Sequence, residues 1–354
     1  MRPPKKLRSR KAGLPPGSLV HIGEIKADAT SFSVIDFDEH GFFEATLPNP
    51  AALTSQPRNF ATRWTNVYGA QKPADLAVVG SVFGLHPLVQ EDILNNAQRQ
   101  KIEAYENYLY LVLHRYELKA GKLDLSQDQI SLVIGRDYVL SFQERQSKTF
   151  EPIRQRLRTE YANIRKGGAD MLAYSLIDSV VDSYFGVIEQ LYEHAETLEN
   201  DILRHPAPAT LEGIHQFKRS VSYLRRNLHP LRELLGELHR DAGIFFRPEM
   251  QLYLRDVYDH TVHILESLED LRDLTTGLLD VYLTTVSHRV NLEVRALTAV
   301  ATIFMPATLI AGIFGMNFRV IPGLESANGF AYALGLMGLI ACIMLVLFWR
   351  RKSI

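Results

Sequence analysis

The sequence predicts an α+β membrane protein: a cytosolic α/β domain with a mixed sheet, a long helical stalk, and two C-terminal transmembrane helices. Three observations predict it. Ala296–Phe318 and Gly329–Trp349 are uncharged runs, and at about 1.5 Å per helical residue the first spans roughly 35 Å, enough to cross a bilayer. Between Pro248 and Pro306 there is no other proline and a single glycine, Gly277, so one helix can run from the soluble part into the first apolar run. Before residue 150 the chain instead mixes β-branched and aromatic runs with turn residues.

Taken in order, residues 1–17 are a basic tail, with six basic residues among the first eleven. No apolar stretch follows, so no secretory leader is expected. The net charge of −1 supplies no bulk field toward nucleic acid, and the tail reads as a solvated arm rather than a DNA or RNA site. Residues 18–149 form the α/β domain. Ser31–Phe37 alternates polar and apolar, the pattern of a half-buried strand. Tyr108–Leu113 and Ile130–Ile134 are strand-like, and Gly135-Arg136-Asp137 turns the latter into Tyr138–Phe142 as a hairpin. Pro87–Leu94 has proline in the first turn of a short amphipathic helix.

Residues 150–248 are helical, with segments near 150–165, 170–204 and 210–241 broken at Gly167-Gly168 and His205-Pro206-Ala207-Pro208. From 249 to 318 one stalk helix is expected, its last part, 296–318, being the first transmembrane segment. Leu254, Val257, Thr261, Ile264, Leu268, Leu271, Thr275 and Leu278 alternate steps of three and four, a heptad seam. Residues 319–328 are an outer loop, 329–349 the second transmembrane helix, and 350–354 a basic cytosolic tail. Arg289 and Arg295 precede the first span and Arg350, Arg351 and Lys352 follow the second, which places both termini in the cytoplasm. The single cysteine, Cys342, lies in the second span and can form no internal disulfide.

Val294, Leu297, Ala301, Met305, Thr308, Gly312 and Gly315 share one face of the first span. Close packing between membrane helices and a pore lining both suit its small members. A chain with two spans encloses no path alone, so a channel requires an oligomer. The spans contain no Asp, Glu, Lys, Arg or His, which argues against a proton-coupled pump and against direct cation coordination inside the span. In the soluble part, Asp256, Asp259, His260 and His263 recur one turn apart, and His260-x-x-His263 alone is a weak zinc signal. Glu189, Glu193, Glu196 and Glu199 read as a solvated stripe. No phosphate-binding glycine loop, His-Glu-x-x-His or nucleophile elbow is present, so no enzyme is expected.

Gly315-Met316-Asn317, at the end of the first span, closely resembles the signature of the CorA family of divalent-cation channels. Leu279–Leu283 and Ala301–Pro306 resemble that family as well. The resemblance implies a homopentamer in the inner (cytoplasmic) membrane, the first span inside and the second outside. It implies uptake of Mg²⁺, with Co²⁺ and Ni²⁺ as further cargo, and closure by cytosolic Mg²⁺. It makes Gly315, Met316 and Asn317 the selectivity filter and Val294, Leu297, Ala301, Met305, Thr308 and Gly312 the pore lining and gate. Gln90–Leu94 and Arg255–His260 resemble the family's metal-sensing segments, so Asp92 of one subunit would meet Asp256 of its neighbour, with Glu91 and Asp178 as a second set. The loop Arg319–Glu325 departs from the family's common Glu-rich loop, and its Ile-Pro-Gly is similar to zinc-transporting relatives of the ZntB branch, which makes a Zn²⁺ transporter the nearest alternative. A non-conducting membrane-anchored sensor or scaffold is the alternative of another class.

Overall fold

Described in the computed structural model are residues 13–27, 29–119, 123–159, 163–241, 243–317, 322 and 328–350. Its strands are β1 (Ser31–Phe37), β2 (Phe42–Leu47), β3 (Thr62–Tyr68), β4 (Lys101–Ala104), β5 (Leu109–Leu118), β6 (Leu125–Ile134) and β7 (Tyr138–Gln143). They form one sheet in the order β2-β1-β3-β7-β6-β5-β4. The β3–β7 pair is parallel and the remaining pairs are antiparallel, so the sheet is mixed as expected. The expected hairpin is β6–β7, closing at the Ile134–Val139 pair.

The expectation of a half-buried β1 needs correction. Ile35 and Asp36, on opposite faces, are both buried, because both faces of the sheet are covered: Phe32 and Val34 share a core with Leu76, Val79 and Val89, and Arg154 reaches Ser33 on the other face at 3.1 Å. Asp36 is tolerated there by its register partner Arg63, whose Nε and Nη2 donate to the two carboxylate oxygens at 2.7 and 2.8 Å. A fork of this kind offsets much of the cost of burying either charge. Strands β2, β3 and β4 carry no expectation from the sequence, since charged and amide residues interrupt their apolar alternation.

Helix α1 (Ala52–Ser55) is a single turn, followed by α2 (Pro73–Phe83) and α3 (Pro87–Ile93). Leu76 and Val79 of α2 and Val89 of α3 share a core with Val34, Val67, Tyr110, Val112 and Leu140. Pro87 occupies the first turn of α3, and the His86 side chain accepts the Leu88 N–H at 3.2 Å, capping an otherwise unpaired donor. Helix α4 (Glu151–Arg158) follows Phe150, whose ring meets Trp64 edge-on at 6.1 Å. Arg154 of α4 stacks 4.8 Å from the Trp64 ring.

The remaining helices are α5 (Asn163–Arg204), α6 (Pro208–Arg240), α7 (Gln251–Phe314) and α8 (Gly329–Arg350). The expected Gly-Gly break falls inside α5, where Gly168 takes φ +71°, a conformation that costs glycine nothing and side-chain-bearing residues much more. The eight seam residues of α7, Leu254 to Leu278, are all buried. Helix α5 is also long and apolar enough to cross a membrane. However, Leu172, Leu176, Val180, Tyr184 and Leu191 place its apolar side inside the protein, so length and hydropathy alone would have overcounted the spans. The chain divides into two compact units. One runs to Leu198 and resumes over Glu212–Thr276, and the other comprises Glu199–Leu211 and the residues from Gly277 onward.

Candidate functional site

In the second unit, α7 is exposed along most of its length beyond Leu283. Val294 is 54% exposed and Leu297 and Met305 are each 71% exposed. Ala301, Thr308 and Gly312 are exposed on the same side. Ala299 is buried, and Ile303, Pro306, Ala307, Ile310 and Phe314, on the opposite side, are half-buried. Phe304, Leu309 and Ile313 are exposed as well, so exposure in the single chain covers more of the helix than the face with Ala301 and Thr308. Ala301, Met305, Thr308, Gly312 and Met316 line an open groove together with Phe304, Leu309 and Ile313. Thr308 Oγ1 donates to the Phe304 carbonyl at 3.0 Å, which satisfies the hydroxyl within its own turn while leaving an oxygen lone pair outward.

The helix ends at the predicted tripeptide. Gly315 N–H still donates to the Ala311 carbonyl at 2.9 Å, whereas Met316 N–H shifts to Ile313 at 3.3 Å, a tighter terminal turn. A Cβ on residue 315 would lie 3.1 Å from the Ala311 carbonyl oxygen, so glycine suits this close turn. Met316 and Asn317 are exposed. The expectation for the loop Arg319–Glu325 lies, Pro322 apart, outside the described residues, as do those for Phe318, for the basic residues among 1–12 and for Arg351 and Lys352.

In the first unit the structure brings Asp178 of α5 and Asp256 of α7 into one cluster with Asp182 and His260. One ligand atom each from Asp178, Asp182 and His260 lie within 4.8 Å of one another. His260 Nε2 is 3.9 Å from Asp256 and its Nδ1 3.9 Å from Asp182. Burial pushes Asp178 up to about 6, with the like charges of Asp182 and Asp256 adding to the shift and His260 opposing it. Phe185 positions both histidines, with ring centroids 5.7 Å from His260 and 5.9 Å from His263. Asp182 is absent from the sequence reading, although its i, i+4 spacing from Asp178 was available as a signal. His260 faces carboxylates, with Asp182 and Asp256 each 3.9 Å from a ring nitrogen.

Glu91 and Asp92 of α3 have other partners within the chain. Glu91 accepts the Gly17 N–H. Asp92 accepts Gln98 Nε2 at 2.7 Å on one oxygen and Lys101 Nζ at 2.6 Å on the other. The donors of both regions are hard oxygens, with one imidazole nitrogen at His260. That set suits a divalent cation such as Mg²⁺, and the nitrogen also suits Co²⁺ or Zn²⁺.

Residues 61–352 match the family described as "CorA-like Mg2+ transporter protein". The chain is 41% identical over 352 residues to the "Cobalt/magnesium transport protein CorA" of Thermotoga maritima, covering 98% of this chain and 99% of that one. The "Zinc transport protein ZntB" of Photorhabdus laumondii is 27% identical over 179 residues, which is 50% of this chain and 54% of that protein. In fold, the chain matches the complete CorA magnesium transporter of Methanocaldococcus jannaschii with a TM-score of 0.75 at 20% identity, over 91% of this chain and 98% of that one. The match over residues 61–352 and the near full-length identity place this chain in the CorA-like Mg²⁺ transporter family, a family of transporters and not of enzymes.

Proposed function

We propose that the chain assembles as a homopentamer in the cytoplasmic membrane and conducts Mg²⁺, with Co²⁺ and Ni²⁺ as further cargo, along an axis lined by one α7 from each subunit. The observation that carries this reading is the uncharged exposed face of α7 ending in Gly315-Met316-Asn317. A single such face encloses nothing, and repetition around an axis makes it a path. Mg²⁺ gives up water reluctantly. A ring of Asn317 amides and Gly315 carbonyls can hydrogen-bond the hydrated ion without stripping it. Leu297 and Met305, both apolar, would form constrictions that close by dewetting.

Asp178 and Asp256, with Glu91 and Asp92 from a neighbouring subunit, would bind regulatory Mg²⁺ and hold the closed state. The raised titration of Asp178, caused first by burial and then by the like charges of Asp182 and Asp256, fits this, since a bound cation would stabilise its charged form. Both termini would be cytoplasmic, in keeping with the basic flanks of the two spans. A Zn²⁺ transporter of the same fold is the second reading, favoured by the imidazole of His260 among carboxylates.

Cation uptake by proteoliposomes separates these readings. Mg²⁺ and Co²⁺ flux exceeding Zn²⁺ flux is expected, and the reverse order would favour the zinc reading. Asn317→Ala should assemble normally yet lose most of its uptake, whereas Asn317→Asp should keep binding and lose discrimination. Normal flux and selectivity in an assembled Asn317→Ala protein would sink the filter assignment.

A further inference from the structure

We propose that Lys101 is a tethered counter-ion that competes with regulatory Mg²⁺ for Asp92 and thereby sets the concentration at which the sensor fills. This rests on the assignment of Asp92 as a sensor ligand made above. Lys101 opens β4, nine residues after Asp92, and the turn between α3 and β4 brings the two together. Its Nζ lies 2.6 Å from Asp92 Oδ2 and 2.5 Å from Glu103 Oε1. Gln98 Nε2 occupies the other Asp92 oxygen at 2.7 Å. The Asp92 side chain is only 13% exposed, so its protein donors replace most of the water it would otherwise hold. The ammonium also lies 5.9 Å from the centroid of the buried Tyr110 ring, which fixes the direction of its stem.

The arrangement has two carboxylates and one ammonium. A divalent cation that coordinates Asp92 directly needs an oxygen at about 2.0–2.1 Å, and a second positive charge hydrogen-bonded to the same carboxylate would repel it strongly. The ammonium therefore has to leave Asp92 as the cation arrives. Glu103 is the place it goes: the same Nζ already touches it, and the four-carbon stem allows the small swing. Glu103 is itself held by the Tyr105 hydroxyl at 3.0 Å on its other oxygen. When cation is scarce, Lys101 keeps the semi-buried Asp92 paired and spares the fold an uncompensated charge. When cation is abundant, Lys101 retires to Glu103. A Lys residue at this place raises the Mg²⁺ concentration needed to fill the sensor, which suits a device meant to respond to high internal Mg²⁺.

The test uses full-length protein in detergent, stripped with chelator and titrated with Mg²⁺, with protection from limited proteolysis as the readout. Lys101→Met should lower the midpoint about fivefold, equivalent to about 1 kcal/mol. Glu103→Gln removes the negative charge of the alternative partner, biases the ammonium toward Asp92 and should raise the midpoint. A lysine with a purely structural role would lower the stability of the chelated protein without moving the Mg²⁺ midpoint downward. An unchanged or higher midpoint in Lys101→Met overturns the proposal. If that variant does not fold, Glu103→Gln decides, and an unchanged or lower midpoint there overturns it. Asp92→Asn distinguishes the two levels. Loss of Mg²⁺ protection in Asp92→Asn with no shift in the other variants defeats only the counter-ion role, while undiminished protection in Asp92→Asn defeats the sensor assignment and the counter-ion with it.

Discussion

His114 on β5 shows how a single buried side chain ties stability to pH. Tyr184 of α5 donates to the His114 carbonyl, and the Tyr116 hydroxyl lies 3.4 Å from Nδ1. Burial pushes the imidazole from 6.5 down to about 4, with the backbone of Gln98 opposing the shift and the charge of Lys26 adding to it. The folded value lies below the unfolded one, so the unfolded chain takes up its proton first on acidification. The stabilisation from this group is complete above about pH 6.5 and is lost as pH falls toward about 4, amounting to about 3 kcal/mol at most. His114→Phe should accordingly show a shallower loss of stability between pH 6.5 and 4 in chemical unfolding of the detergent-solubilised protein. An unaltered slope would mean that the imidazole titrates normally in the fold. Nothing local in Leu113-His114-Arg115 announces this environment, because it is made by α5 and by the strands on either side.

Among the elements, α7 would, on the proposed function, serve two purposes along one helix. In the first unit its seam residues Leu254 to Thr275 are buried, and residues beside the seam meet α5 and α6. Tyr253 meets Tyr174 with ring centroids 5.2 Å apart, Tyr258 meets His239, and Glu269 pairs with Arg225 at 2.6 Å. Leu268 is fully buried, so Leu268→Ala should cost about 2–5 kcal/mol through lost transfer energy and the cavity left behind, visible as a lower thermal midpoint. Leu297, 71% exposed, has little to lose inside its own chain. Leu297→Ala should leave that stability within about 0.5 kcal/mol and act on conduction instead. Equal thermal effects of the two substitutions would contradict this division of labour. The seam was legible because the 3.5-residue repeat needs only the sequence, and α3 because proline marks a first helical turn. Strands β2, β3 and β4 were not, because tertiary pairing overrode weak local preference.

For the molecule as a whole, the testable matter is how the two apolar helices lie in a membrane. With Cys342 replaced by alanine, a cysteine at position 326 should react with an impermeant reagent added outside, while one at position 18 should not. Labelling of both from the same side would overturn the proposed orientation. Crosslinking of full-length protein should give five bands ending at a pentamer. A monomer that still conducts would remove the basis for an axial path, since one uncharged face cannot surround an ion.

The sequence by itself determined the class of this protein: two uncharged runs of bilayer length, a proline-free helix feeding the first, a heptad seam, and Gly315-Met316-Asn317 where the first run ends. These features are periodic or contiguous, and periodicity and contiguity survive in one dimension. Only the tertiary structure decided that Asp182 and His260 join Asp178 and Asp256, that Asp92 is already paired with Lys101, and that the apolar side of α5 is spent inside the fold. Each of these depends on residues from different elements meeting in space. An electrostatic environment is a sum over such neighbours, and sequence order does not record who they are.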